Sequence, residues 1–460
     1  MSKVEKVPGS FRDPNGFLFI RGGGLYRQVN KAYRKNYDTL MKSGLYTRLS
    51  SGGLLVSHEE SDQAPIDQDK AYKVIQPQRI PFISYPYEWC FSQYRDAALC
   101  TLQIMKLALE KDMVLKDASA YNIQFHRGKP ILIDTLSFEK YQEGMPWVAY
   151  RQFCQHFLAP LALMAFTDIR LSQLMRIYID GIPLDLTSSL LPVKTKLNLG
   201  VQAHIHLHAY AQKRYAGKDI KQAAQERKMS KMALTGLISS LESTVKAFNW
   251  KPEGTEWAEY YSGTNYTDQA FNLKKKLLEE LVIAAKPKLV WDLGANTGVF
   301  SRVCSDRGIP TISFDIDPAA VENNYLEARK GNEASILPLV LDLTNPSPAI
   351  GWANEERSSF SQRAQADLIL ALALVHHMAI SNNVPLVTLA ESFARLSPKL
   401  IIEFVPKVDS QVQRLLVSRE DIFPEYNQEG FEMAFKTCYH IQRALPIPGT
   451  KRTLYLMERH

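Results

Sequence analysis

The chain has 460 residues, a length that predicts two to four domains, and its 45% hydrophobic and 22% charged residues are typical of globular proteins. The longest apolar run in its first half, residues 157–166, is too short for a membrane span, which takes about 20 residues. The first 17 residues do not resemble a signal peptide, and the five cysteines are dispersed. These features predict a cytoplasmic protein with reduced thiols.

The net charge of +7 is unevenly distributed. Residues 251–460 hold 22 Lys and Arg against 26 Asp and Glu, or −4, so residues 1–250 carry the remaining +11. A basic half indicates either an anionic partner or a solvated surface, and the dispersed lysines and arginines favour the surface. The lack of an RNA-binding motif argues against nucleic acid.

The first half of the chain mixes strand-like and helical segments, which predicts an α+β N-terminal domain over residues 1–248. A helix is predicted over residues 90–113, and residues 150–245 are mostly helical in pattern. Residues 249–254 contain Pro and Gly and are typical of a linker. Over residues 255–460 strands and helices alternate, which predicts an α/β domain with a doubly wound, mostly parallel sheet.

The strongest motif runs from Lys288 to Phe300 and reads KLVWDLGANTGVF. Its apolar start predicts a buried strand that ends at Asp292, and Gly294 and Gly298 then bracket a tight turn into a helix. Glycine is favoured in such a turn because a Cβ atom would block the approach of the backbone to a ligand. An acid before the first glycine would repel a pyrophosphate, but it suits the cationic amino group of an amino-acid-like ligand.

This string resembles the first motif of class I S-adenosylmethionine-dependent methyltransferases. The resemblance extends over residues 255–460 and implies a Rossmann-like sheet with S-adenosylmethionine as the cofactor. It implies that the carboxylate of Asp315, at the end of the second strand, accepts hydrogen bonds from the ribose hydroxyls, and that Asp317 is a neighbour or helix cap. Asp342, at the end of the third strand, would bind the adenine amino group. The predicted cofactor-binding residues are Asp292, Gly294, Asn296, Gly298, Asp315, Asp342 and Ala371.

Later segments complete the predicted sheet. A fourth strand is predicted over residues 367–377, running into the loop beside the transferred methyl group, and a fifth over residues 400–405. Residues 452–457 resemble the terminal antiparallel strand of the same fold. The aromatic segment 257–267 is predicted to form either a lid over the cofactor or packing between domains.

His376, His377 and Glu403 are the candidate catalytic residues. One of the histidines could be the general base that takes a proton from a hydroxyl or amine acceptor, since histidine titrates near neutral pH. Alternatively, both histidines only line the cofactor pocket. Glu403 lies at the end of a predicted buried strand, in a comparable position.

A second group of residues, in the N-terminal half, resembles the catalytic region of protein-kinase-like folds. Asp117 and Asn122 have the spacing D-x-x-x-x-N, and an apolar strand ending in Asp134 follows. The resemblance implies Asp117 in the base position and Asn122 and Asp134 as magnesium ligands. Gly22–Gly24 departs from the family's glycine-rich loop, and Lys73 matches its phosphate-binding lysine poorly. The N-terminal domain is therefore predicted to recognise the acceptor, and phosphoryl transfer is the alternative.

The arrangement as a whole is similar to a bacterial methyltransferase family related to nodulation proteins. It implies an enzyme that transfers a methyl group from S-adenosylmethionine to an O, N or C nucleophile by in-line displacement. The alternatives are a phosphotransferase whose C-terminal domain senses S-adenosylmethionine, and a module that binds it without turnover. His204, His206 and His208 lack a carboxylate or cysteine partner in sequence, so no metal is predicted. The acceptor and the oligomeric state stay open.

Overall fold

The computed structural model of the protein describes residues 4–210, 228–252, 267–363, 365–417 and 420–460. The chain forms two compact units, which are Met1–Lys251 with Pro348–Ser358, and Pro252–Ser347 with Ser359–His460. Within the described ranges, no helix combines the length and the apolar character that crossing a membrane requires.

The first unit begins with a five-stranded antiparallel sheet in the order β1-β2-β3-β5-β4. Its turn between β2 and β3 contains Gly22 and Gly23, both with positive φ, as expected for a tight hairpin. Two short helices, α1 (Arg34–Lys42) and α2 (Leu45–Ser51), connect β3 to β4. The five strands are β1 (Val4–Lys6), β2 (Gly16–Arg21), β3 (Gly24–Asn30), β4 (His58–Glu60) and β5 (Ala71–Pro77).

The rest of the first unit is mostly helical and packs around α3 (Phe91–Leu109), which is buried along much of its length. Two small two-stranded antiparallel sheets follow it, β6 (Met113–Leu115) with β9 (Phe138–Lys140) and β7 (Ile123–His126) with β8 (Lys129–Leu132). The later helices are α4 (Tyr150–Phe153), α5 (Ala159–Phe166), α6 (Leu184–Leu190), α7 (Leu199–Val201) and α8 (Lys231–Ala247). An antiparallel sheet followed by helices is an α+β arrangement, as the sequence predicts.

The second unit contains a seven-stranded sheet in the order β12-β11-β10-β13-β14-β16-β15. Its first five strands are parallel, and β16 is antiparallel to both β14 and β15. The strands are β10 (Val290–Leu293), β11 (Thr311–Asp315), β12 (Ile336–Val340), β13 (Leu368–Ala371), β14 (Lys399–Phe404), β15 (Tyr439–Pro446) and β16 (Thr453–Arg459). The predicted doubly wound α/β sheet is therefore present.

Among the described residues of this unit, six α-helices accompany the sheet. They are α9 (Asp268–Ala285), α10 (Ser301–Ser305), α11 (Pro318–Gly331), α12 (Leu386–Leu396), α13 (Ser410–Leu416) and α14 (Gln428–Lys436). An apolar core joins α9 to the sheet through residues such as Leu278, Leu281 and Val290, none of which is more than 1% exposed. Because helices cover the parallel strands, β10 is buried at each of its four residues.

The structure differs from the sequence-based elements at three places. The fourth strand ends at Ala371 instead of continuing to residue 377, and a π-helical turn forms over His377–Ser381. β15 was not indicated by the sequence. Residues 348–358, between β12 and β13 in the chain, belong to the first unit, where Arg357 lies 4.5 Å from the ring of Tyr121.

The glycine turn after β10 generates a stability prediction. A Cβ atom on Gly298, whose φ is +76°, would lie 2.5 Å from the amide group of Asn324. Gly298→Ala is expected to lower the free energy of unfolding by about 2–4 kcal/mol, measured by urea denaturation, because it adds a clash to a left-handed backbone. Gly308→Ala is the matched control, since Gly308 has φ +75° and open space around it. Equal losses in the two variants would contradict the role of the close contact.

Candidate functional site

A cavity of about 360 Å³ opens at the carboxyl ends of the parallel strands of the second unit. The chain reverses its direction of winding between β10 and β13, and ligands of doubly wound sheets bind at such a switch point. Six of the ten predicted site residues line the cavity: Asp292, Gly294, Asn296, Asp315, Asp342 and His377. The other four, Gly298, Ala371, His376 and Glu403, do not line it.

Asp292 is the penultimate residue of β10 and is only 1% exposed. Its carboxylate accepts a hydrogen bond of 2.6 Å from the Ser301 hydroxyl, which also lies 3.0 Å from the Ser313 hydroxyl. Burial raises the pKa of Asp292 to about 7, and the neighbouring Asp315 charge acts in the same direction. A buried carboxylate of this kind is stabilised by a cationic ligand group.

Asp315 closes the adjacent strand β11 and organises the glycine turn. One carboxylate oxygen accepts the Asn296 backbone N–H at 2.7 Å, and the other accepts the Asp317 N–H at 2.9 Å. Burial nevertheless raises the pKa of Asp315 to about 6. Asp317 itself caps α11 by accepting the Ala319 N–H at 2.8 Å. A carboxylate oxygen has two lone pairs, so Asp315 can accept further hydrogen bonds from hydroxyl groups at the cavity.

Asp342 follows β12 and is less buried than the other two acids. One of its oxygens accepts both the backbone N–H and the hydroxyl of Thr344, at 2.8 and 2.6 Å. This arrangement fixes the carboxylate at the rim of the cavity, where Leu341, Leu343 and Thr344 also contribute to the lining. The three acidic residues therefore lie at the carboxyl ends of the neighbouring strands β10, β11 and β12.

His376 and His377 lie at the start of the π-helical turn, with their rings 4.2 Å apart. His377 lines the cavity, whereas His376 is 1% exposed and lies outside the lining. Burial lowers the pKa of His377 to about 4, and the Arg452 charge acts in the same direction, so its imidazole is neutral at pH 7. Of the two histidines, only His377 is in place to accept a proton from a molecule in the cavity.

Glu403 is fully buried, and one of its oxygens is engaged twice. That oxygen lies 2.6 Å from the Lys274 ammonium and accepts the Ala373 backbone N–H at 2.9 Å. Lys274 lines the cavity and was not singled out in the sequence. The helical spacing of the sequence could have identified Lys274, because it lies four residues from each of the buried residues Ala270 and Leu278 on one face of α9.

The kinase-like residues of the first unit also come close together. Asp134 pairs with Arg27 at 2.5 Å through one oxygen and accepts the Ser137 hydroxyl through the other. Burial and the Asp134 charge raise the pKa of Asp117, whose carboxylate accepts a hydrogen bond of 2.8 Å from Gln152. Because Arg27 neutralises Asp134, the group is an internal ion-pair cluster in this structure.

Two of the three closely spaced histidines of the first unit, His204 and His206, form hydrogen bonds with side-chain hydroxyl groups. His204 contacts the hydroxyls of Tyr150 and Ser240, each at 2.9 Å. His206 contacts the hydroxyls of Ser188 and Thr195, at 2.8 and 2.9 Å. Across the described part of the chain, no group of three His, Cys, Asp or Glu side chains is placed to hold a metal ion. Residues 257–266, the predicted lid or packing segment, fall outside the described residues.

A known protein matches the chain along nearly the whole of the given sequence. The chain is 35% identical over 461 residues to the nodulation protein NoeA of Rhizobium meliloti (strain 1021), which covers 99% of this chain and 96% of that protein. No family model matches the chain.

Three of the solved structures that match the chain each cover less than half of it. The PH0226 protein of Pyrococcus horikoshii OT3 is 19% identical, with a TM-score of 0.33 over 45% of this chain and 100% of its own. The magnesium protoporphyrin IX methyltransferase of Synechocystis PCC 6803 with bound SAH is 14% identical, with a TM-score of 0.32 over 44% of this chain and 93% of its own. The N-methyltransferase NodS of Bradyrhizobium japonicum WM9 is 10% identical, with a TM-score of 0.30 over 42% of this chain and 97% of its own. The strand order confirms the predicted doubly wound, Rossmann-like sheet.

The raised pKa of Asp292 predicts a pH dependence of stability. The folded chain keeps a proton on Asp292 that the unfolded chain loses, so this stabilising contribution is present at about pH 4 and disappears as the pH rises through about 7. Asp292→Asn is uncharged at every pH and is expected to raise the free energy of unfolding at pH 8 by more than about 1 kcal/mol, and by a smaller amount at pH 5. Urea unfolding at both pH values measures this.

The control for this measurement is Asp306→Asn, which changes an exposed aspartate on the same unit. It is expected to leave both unfolding curves near those of the unaltered chain. A loss of stability in Asp292→Asn at pH 8 would contradict the description of Asp292 as a carboxylate whose burial is costly.

Proposed function

The chain belongs to the family of the nodulation protein NoeA, and we propose that its second unit transfers a methyl group from S-adenosylmethionine to an acceptor. The observation that carries this proposal is the series of carboxylates, Asp292, Asp315 and Asp342, at the carboxyl ends of three adjacent parallel strands around one cavity. The acceptor nucleophile is an O, N or C atom, and recognition of the acceptor by the first unit stays a prediction.

The chemistry of these residues fits the cofactor group by group. Asp292 offers a buried anion to the cofactor's ammonium group. Asp315 offers a second, fixed carboxylate to the two hydroxyls of a ribose, and Asp342 offers a third to the amino group of an adenine. Gly294 also lines the cavity and has φ +77°, a conformation that favours glycine and lets backbone form the wall.

S-adenosylmethionine, when bound, supplies a methyl group that its positive sulfur makes electrophilic. The protein then has to align the acceptor and exclude water, and the apolar lining by Phe271, Phe300, Leu372 and Leu374 excludes water. His377 is neutral at pH 7 and can take a proton from an acceptor hydroxyl or amine on a ring nitrogen. Glu403 is less suited to this role, because Lys274 and the Ala373 N–H already engage it.

The phosphotransferase alternative has weaker support. Asp134 would have to bind magnesium, yet its carboxylate is occupied by Arg27 and Ser137. A binding module without turnover would use the same three acids, so it differs from the proposal only in the absence of methyl transfer. Titration of the chain with Mg²⁺ and ATP discriminates the phosphotransferase, since binding that depends on Asp134 and survives Asp315→Asn would favour it.

Asp315→Asn tests the cofactor site. The variant is expected to weaken the binding of S-adenosylhomocysteine by at least about tenfold, because an amide replaces the anion proposed to hold the ribose hydroxyls. Isothermal titration calorimetry measures the affinity. Asp317→Asn is the matched control, since it changes the helix-capping acid two residues away and keeps a capping oxygen. An unchanged affinity in Asp315→Asn would contradict the proposed site.

His377→Ala tests the proposed base. With a hydroxyl or amine acceptor found by screening with labelled methyl donor, kcat is expected to fall by about 10²–10⁴-fold while the affinity for S-adenosylhomocysteine is kept. In the unaltered chain, kcat should be independent of His377 ionisation near neutral pH and should fall as the pH drops through about 4, where His377 gains a proton. Met378→Leu, at the next lining position, is the control. An unchanged kcat in His377→Ala would contradict the assignment.

A further inference from the structure

A short segment of the first unit exposes large apolar side chains beside lysines. Val193, Leu197 and Leu199 are 77%, 87% and 87% exposed. Lys194 and Lys196, which lie between the first two of them in the chain, are exposed as well. We propose that residues 193–199 dock on an anionic lipid surface, with the aliphatic side chains in the bilayer interface and the lysines at the headgroups. Docking of this kind is independent of the proposed methyl transfer.

The segment is anchored by one inward-facing residue. Thr195 is 2% exposed, and its hydroxyl donates to the Pro192 carbonyl at 2.6 Å and lies 2.9 Å from Nε2 of His206. Nδ1 of His206 in turn lies 2.8 Å from the Ser188 hydroxyl. Residues 193–197 form a 3-10 helix, which has about three residues per turn, so an inward Thr195 leaves the residues on both of its sides facing outward.

The end of the segment is fixed in a similar way. The side chain of Asn198 caps α7 by accepting the Val201 N–H at 3.1 Å, and its carbonyl accepts the Gln202 N–H at 2.8 Å. Val201 is buried, whereas Leu199, the first residue of α7, stays in water. Clustered aliphatic side chains that polar anchors hold outside the core are typical of a surface that a partner covers.

The charge around the segment has one sign. Residues 186–210 contain no Asp or Glu, and their Lys and Arg residues are Lys194 and Lys196. Burial lowers the pKa of His204 and of His206, so both imidazoles are neutral at pH 7. Lysines are attracted to anionic headgroups, and aliphatic side chains gain by leaving water for the acyl boundary. An anionic bilayer therefore matches both kinds of side chain.

A nucleic acid matches the segment less well. Residues 193–199 contain no aromatic side chain, so bases have no ring on which to stack, and two lysines give little attraction to a phosphate backbone. The three exposed aliphatic side chains would also stay in water against such a partner.

Co-sedimentation of the full chain with lipid vesicles tests the docking. Vesicles of phosphatidylcholine and phosphatidylglycerol in about equal parts are expected to bind the unaltered chain at least about fivefold more tightly than vesicles of phosphatidylcholine alone. The combined change Leu197→Ser and Leu199→Ser is expected to weaken binding to the anionic vesicles by at least about tenfold, because it removes apolar area from the interface.

Met232→Ser is the matched control. Met232 is 84% exposed, but the neighbouring Lys231 ammonium is paired with Asp112 at 2.7 Å, so this site lacks free basic charge. The control is expected to keep full binding to the anionic vesicles. Urea unfolding is expected to show the same midpoint for the double serine variant as for the unaltered chain, because the two leucines lie outside the core.

The lysines are tested separately from the leucines. The combined change Lys194→Gln and Lys196→Gln is expected to weaken binding to the anionic vesicles by at least about fivefold and to leave binding to pure phosphatidylcholine unchanged. Binding of the unaltered chain to the anionic vesicles is expected to weaken as salt is added, since salt screens exposed charges.

The outcomes are distinct. Failure of the folded, unaltered chain to bind the anionic vesicles would overturn the proposed docking, and so would full binding by the double serine variant. Self-association of the unaltered chain that the serine changes remove, without vesicle binding, would overturn it in favour of an interface between copies of this chain. The affinity for S-adenosylhomocysteine is expected to be the same in the double serine variant, so the methyltransferase proposal has its own readout.

Discussion

The second unit depends on the burial of two carboxylates at the ends of adjacent parallel strands. Parallel strands bring their carboxyl ends to one edge of the sheet, so Asp292 and Asp315 stand side by side at the cavity. Burial raises the pKa of both groups, to about 7 and about 6, although each carboxylate already accepts hydrogen bonds within the chain, so ionisation stays costly. A ligand that supplies an ammonium group and hydroxyls relieves that cost, and this links the fold to the proposed function.

The glycine turn and the neighbouring acidic residues support one another through hydrogen bonds. Asp315 accepts the N–H of Asn296 within the turn, so the acid on β11 holds the loop that follows β10. Gly298 fits closely against Asn324, whose amide group also binds Ser313 on β11. The shape of the cavity therefore depends on contacts between neighbouring strands as well as on the glycines themselves.

Local patterns explain what the sequence predicted. The apolar run before Asp292 and the two glycines lie within a few residues of one another, and each acid at the end of the next two strands directly follows its own apolar run. The partners of Glu403 are a different case, because Lys274 and Arg452 lie 129 and 49 residues away and meet it only in the folded sheet. The apolar run after residue 367 gives no local sign that β13 ends at Ala371, since leucine and alanine suit both a strand and the turn that follows.

Titration of the unaltered chain with S-adenosylhomocysteine at pH 7, in two buffers of different ionisation enthalpy, measures whether Asp292 binds the ammonium group. Asp292 is partly protonated at this pH before binding, and an ammonium group placed beside it would lower its pKa. The account predicts binding with the release of a fraction of a proton, and loss of that release in Asp292→Asn. Binding without proton release would contradict the role of Asp292, and no binding by the folded chain would contradict the proposed function as a whole.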